Sequence, residues 1–126
     1  MSTLNKHDVG ARLDELGHLN DGWLDGEGVA PDQAGLEWLA SVFGDAFPSD
    51  LPLPCLYPTV EGGIQAEWSL PPYDVSLEVD LQRHTGEWDM LNLETQDDDS
   101  RQLSLDTIDD WEWLITRIRR IAGDSE

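Results

Sequence analysis

Two runs of the chain alternate apolar and polar residues with a period of two. Ile64, Ala66 and Trp68 alternate with Gln65, Glu67 and Ser69, and then Val75, Leu77, Val79 and Leu81 with Ser76, Glu78 and Asp80. That period belongs to strands with one buried and one wet face. Gly62-Gly63 precedes the first run and supplies the φ > 0 positions of a tight hairpin, which joins it to a preceding strand over Cys55–Thr59. Pro71-Pro72-Tyr73-Asp74 is the turn between the two runs. Prolines at both ends of the Cys55 strand place it at an edge of the sheet. A fourth strand is expected from Gly86 to Glu94. Its adjacent Met90 and Leu91 break the alternation and leave the face of Trp88 open.

Elsewhere the period is helical. Val9, Leu13 and Leu16 make a narrow stripe over His7–Leu19, weakened by Gly10 and Gly17. Leu36, Leu39, Ala40, Phe43 and Phe47 share the face of a second helix, which begins at Pro31-Asp32 and ends before Pro48, with Trp38 well off that face. Ile108, Trp111, Leu114, Ile115, Ile118 and Ile121 form the clearest stripe. Ser104 or Asp106 is expected to cap that last helix, with Asp106, Asp109 and Asp110 in its first turn and Arg117, Arg119 and Arg120 in its last. The expected order is α-α-β-β-β-β-α, an α+β fold with a four-stranded antiparallel meander and helices packed on one face. One domain spanning 1–126 is expected, with 1–6 and 123–126 frayed. The glycine-rich stretch Asn20–Pro31 is read as a loop pinned by Trp23 in the core, and Asp97–Ser100 as a solvated acidic connector.

Charge changes the picture more than any motif. The 126 residues carry 27 acids against 7 Lys and Arg, a net charge of −20. The acids are mostly aspartate and Lys6 is the sole lysine. Such a chain repels nucleic acid and anionic membrane and favours basic partners. It is also what a halophile's surface requires, where concentrated salt screens self-repulsion. The spread of acids from Asp8 to Glu126 favours that second reading of the acidity itself. The single cysteine, Cys55, between Pro54 and Leu56, is expected to be a buried apolar thiol. No long apolar run and no leader pattern is present, so a cytoplasmic protein is expected.

Three constellations are candidates for function. Glu67 and Glu78 are outward on neighbouring strands, with Asp80 nearby, and like charges so placed favour a cationic partner. Trp113 points away from the apolar stripe with Arg117 one turn on, an arrangement suited to stacking or to anchoring an interface. Asp21, Asp25, Glu27 and Glu61 are weak candidates for a metal, since counting from Asp21 an EF-hand loop would need oxygen at Trp23. His7, His18 and His84 have no partner at metal-ligand spacing, and no nucleotide-binding or nucleophile motif occurs.

Asp21-Gly22-Trp23, then Gly28-Val29-Ala30-Pro31, then Pro58-Thr59-Val60-Glu61-Gly62-Gly63-Ile64-Gln65-Ala66-Glu67-Trp68 resembles a loose group of small uncharacterised prokaryotic proteins. They share a tryptophan–glycine loop, a helix and a P-T-x-x-G-G-I-x-x-E-W hairpin. The resemblance covers roughly 13–94 and implies a shared fold, with no activity attached. The acidity and the extra glycines after Trp23 depart from it. The sequence thus points to a non-enzymatic acidic protein, without cofactor, that binds a basic protein partner through Glu67, Glu78 and Asp80 or through Trp113 and Arg117. The alternatives are a salt-adapted domain with a structural or oligomeric role, and a divalent-metal-binding domain or enzyme.

Overall fold

The computed structural model describes residues 6–48 and 50–124. Its elements are α1 (Lys6–Leu16), α2 (Gln33–Ala46), β1 (Cys55–Pro58), β2 (Ile64–Leu70), β3 (Tyr73–Asp80), β4 (Thr85–Asn92), β5 (Asp98–Ser104) and α3 (Ile108–Asp124). The sheet is a five-stranded meander in the order β1-β2-β3-β4-β5, antiparallel throughout. The α+β class and the meander therefore hold, with one more strand than the pattern predicts. The expected fraying of residues 1–5, 125 and 126 lies outside the described residues, whereas Lys6, Gly123 and Asp124 belong to helices.

The extra strand corrects the reading of Asp97–Ser100 as a connector. Asp98-Asp99-Ser100 pair with Leu91, Met90 and Asp89 of β4. Of β5's side chains, Leu103 is the one fully buried. The strand is held by the hydrogen-bonding edge that β4 offers, and by α3, whose Arg117 pairs with Asp99.

One face of the sheet is buried and the other is wet. Leu56, Ile64, Ala66, Trp68, Val75, Leu77, Val79, Trp88 and Leu103 point inward. All three helices cover that face: Val9, Leu39, Phe43, Trp111 and Leu114 line a void of about 20 Å³ together with Ile64, Trp68 and Leu77. Trp88, whose side the sequence leaves open, is 0 % exposed.

Several local expectations change. Of the glycine pair, Gly62 alone takes a positive φ, 90°. Gly63 is needed for space, because a Cβ there would lie 2.6 Å from the Val79 carbonyl oxygen. Trp23 is half-buried within its own loop, where its indole N–H donates to the Val29 carbonyl and its ring packs on Gly28. Cys55 is exposed, because its inward neighbour Leu56 takes the core position of a strand with period two. Ile108 lies on the expected stripe of α3 yet is 75 % exposed, since it opens the helix before the sheet is reached. The cap of α3 comes from Thr107, whose hydroxyl accepts from the Asp110 N–H, and Asp106 precedes the helix. The helix runs on to Asp124, so its arginines stop short of the last turn.

Among the described residues nothing lies within 4 Å of where a Cβ on Gly10 of α1 would sit. Gly10→Ala is therefore expected to raise stability by about 0.5–1 kcal/mol, the usual gain from removing a helix glycine. A urea midpoint that moves down instead would show that α1 does not hold its helix in solution.

Candidate functional site

The wet face of the sheet is built by the outward half of each strand's alternation. Across β1 to β5 one register row reads Tyr57, Gln65, Glu78, Glu87 and Gln102. The next reads Cys55, Glu67, Ser76, Asp89 and Ser100, and a third reads Ser69, Asp74, Leu91 and Asp98. None of these positions is arginine or lysine. Glu67, Asp74, Glu78, Glu87, Asp89 and Asp98 are all exposed, and among the described residues none of them joins an ion pair. Neutral donors hold two of them: the Gln65 amide donates to Glu67 at 2.7 Å and the Ser100 hydroxyl to Asp89 at 2.6 Å.

Glu67 and Glu78 share this face, but they do not oppose each other. Glu67 pairs with Ser76, and Glu78 lies between Gln65 and Glu87. The like-charge pair is Glu78 against Glu87, which costs the fold a few tenths to about 1 kcal/mol. Asp80 ends the row on β3. It caps the β3–β4 turn by accepting from the Gln82 and Arg83 N–H groups, both at 3.0 Å. Arg83 approaches its carboxylate at 4.0 Å.

Two shallow concavities follow the curl of the sheet. One, of about 610 Å³, is lined by Ser69, Ser76, Glu67, Asp74, Asp89 and Asp98, with Tyr57 and Leu91 among its apolar residues. The other, of about 390 Å³, lies at the turn end between Glu61, Glu78, Asp80, Arg83 and Glu87. Negative charge around Tyr57, from the Cys55 thiol first and then Glu67, works with partial desolvation to push its phenol up.

Asp74, Glu87, Asp89 and Asp98 are absent from the sequence-derived candidates. For Glu87 and Asp89 the signal was the parity of Gly86, Trp88 and Met90, which the Met90-Leu91 pair obscures. Asp98 was hidden with the rest of β5, and Asp74 with the Pro71–Asp74 turn.

Apart from Arg83 at the turn end, the arginines described below lie away from this face. Trp113 is half-buried on α3, edge-on to Trp88 with centroids 5.5 Å apart. The Arg101 guanidinium sits 4.6 Å over its ring and that of Arg117 5.3 Å. Arg117 is also paired with Asp99. The Trp113–Arg117 pair is thus a contact between α3 and β5. Arg119 bonds Asp50 at 2.7 Å and holds that carboxyl below its ordinary value, chiefly through the hydrogen bond. Arg12 bonds the Leu56 carbonyl and Glu15.

The metal candidates are dispersed. Asp21 accepts from the Ala30 N–H at 2.9 Å and closes its loop. Asp25 sits at φ 51° and, like Glu27 and Glu61, is exposed. Among the described residues no three His, Cys, Asp or Glu side chains are grouped to hold a metal ion. His84 stacks on Trp38 with centroids 3.7 Å apart and bonds Asp106 at 2.9 Å, which ties the β3–β4 turn to α2 and to the start of α3.

Among the described residues no helix is long and apolar enough to cross a membrane. No protein-family model, curated protein or solved structure matches the chain.

Proposed function

We propose that this protein is a non-enzymatic acidic binding protein that neutralises or regulates a basic protein partner, in the manner of an antitoxin or a nucleic-acid mimic. The outer face of the sheet is its binding surface. One observation carries the reading: the outward positions of all five strands include Glu67, Asp74, Glu78, Glu87, Asp89 and Asp98 and no cation. Glu78 and Glu87 are neighbours at about 5 Å across the strands and Glu87 and Asp89 at about 7 Å along one, with serine, glutamine or leucine between the other acids. A field of one sign over a concave surface steers and holds a partner of the other sign. Keeping Glu78 against Glu87 costs stability in the free protein, and a cation from a partner reverses that cost. Leu91, 38 % exposed, gives the same surface an apolar contact.

A salt-adapted domain is the second reading. It is favoured by the exposed acids on the helix side, such as Glu37, Asp45 and Glu112, which serve no face in particular. The two readings separate in a pull-down from the native host at its own internal salt. Binding predicts one stoichiometric basic partner that is lost on Glu67→Lys/Glu78→Lys, with the melting temperature of the variant unchanged or raised. Salt adaptation predicts a bait without a partner and a melting curve that climbs with potassium chloride.

A further inference from the structure

We infer that two copies of this chain pair along β5, antiparallel about a two-fold axis at Ser100, to join their sheets into one. The inference is independent of the partner proposed above.

The two edges of the sheet are unlike. On β1, the Thr59 N–H donates to Gly63 at one end of the pairing with β2, so by alternation Leu56 and Pro58 direct their backbone groups outward. That edge is closed. The Leu56 carbonyl accepts from Arg12 at 3.0 Å, and Pro58 has no N–H to offer. On β5, the Asn92 N–H donates to Asp97 at one end and the Leu105 N–H to His84 at the other. The alternation between them turns 99, 101 and 103 toward β4, and turns the backbone groups of Asp98, Ser100 and Gln102 to the free edge. No proline interrupts this edge. It stops at Ser104, whose N–H donates to Asp110 of α3 at 2.6 Å.

Charge selects both the occupant and the register. Edge-directed residues must meet edge-directed residues, so a two-fold pairing of β5 can be centred on residues 99, 100 or 101 without leaving the open stretch. Centring on Asp99 puts it against its own copy, and centring on Arg101 opposes two arginines. Centring on Ser100 puts Asp99 against Arg101 twice, Asp98 against Gln102 twice and Ser100 against itself. Every charged pair is then one of opposite sign. Asp99 and Arg101 also occupy the closer, non-hydrogen-bonded positions of such a ladder. Asp99 already holds Arg117, and Arg101 already lies over Trp113. Across the axis each Asp99 carboxylate would therefore bridge its own Arg117 and the copy's Arg101. A closed two-fold contact of this kind also disposes of the open edge, which otherwise invites unlimited association.

The test is sedimentation of the full chain in molar potassium chloride, where repulsion between two acidic copies is screened. A dimer is expected. Arg101→Asp, which turns both charged pairs repulsive, should weaken it by about tenfold or more. Asp99→Arg/Arg101→Asp restores opposite signs and should restore the dimer. Ser100→Pro removes only an edge-directed N–H and leaves the bonds to β4 intact, so it should give a folded monomer. In a Cys55→Ser background, Ser100→Cys should be joined to its own copy by a short bismaleimide. A wild-type monomer at every concentration and salt tested overturns the proposal. So does a dimer that survives both Ser100→Pro and Arg101→Asp.

Discussion

Trp88→Ala is expected to destabilise the protein by about 3–5 kcal/mol, the range for deleting a fully enclosed tryptophan. The side chain is 0 % exposed and lies between Leu77 of β3 and Arg101 of β5 in the register. Its ring meets Trp113 edge-on. Losing it leaves a void under α3 and removes the surface on which the Trp113 contact with Arg101 and Arg117 is built. Trp88→Phe provides the contrast. Among the described residues the indole N–H has no hydrogen-bond acceptor, so the phenyl ring loses volume without breaking a bond. A cost of about 1–2 kcal/mol is expected for Phe, from volume alone. Chemical denaturation of both variants checks the pair. Equal losses for Phe and Ala would mean that the indole N–H carries an interaction absent from this account.

Gly35→Ala should lower stability by about 2 kcal/mol, although alanine is the better helix former by about 1 kcal/mol. Gly35 is in the first turn of α2, where Asp32 caps the helix by accepting the Gly35 N–H at 2.7 Å. A Cβ at this position would lie 2.5 Å from the Leu81 Cβ and 2.7 Å from the Leu81 carbonyl oxygen. Neither atom is the tip of a flexible chain, so α2 must lift from the β3–β4 turn. That movement strains the Trp38–His84 stack that joins the same two elements. The opposite signs expected for Gly35→Ala and Gly10→Ala make the comparison sharp, because helix propensity alone would stabilise both. Urea denaturation of the two glycine variants checks this, and a midpoint that rises for Gly35→Ala would contradict the close approach to Leu81.

The parts of the fold carried by a strong local period were legible. The alternation of β2 and β3 and the stripe of α2 placed these elements to within a residue or two of their observed ends, and the stripe of α3 gave its start but stopped short of its end at Asp124. β5 was not legible, because Asp98-Asp99-Ser100-Arg101-Gln102 has no apolar member before Leu103. Its strand character comes from what β4 and α3 supply across space. Cys55 misled for a related reason: its apolar neighbours suggest burial, whereas strand parity gives the buried position to Leu56. Within the candidate surface, Glu67 and Glu78 could be placed outward from the hairpin alone. That Glu78 opposes Glu87 depends on the register of β4, which no local pattern specifies. Trp113, read as pointing away from the stripe of α3, is half-buried and packs against the core. What it meets there, the Arg101 of a strand hidden in an acidic run, was beyond local reasoning.

In the proposed function the acids of one face, and not the acidity as a whole, engage the partner. The direct measurement is partner capture by two variants that each lose the same charge. One is Glu67→Gln/Glu78→Gln/Asp89→Asn on the outer face of the sheet. The other is Glu37→Gln/Asp45→Asn/Glu112→Gln on the helix side. The first is expected to lose the partner by more than about tenfold while the second retains it within about twofold, since only the first removes charge at the contact. Equal retention, or equal loss, by the two variants would contradict it and leave the acidity as a property of the solvent the protein lives in.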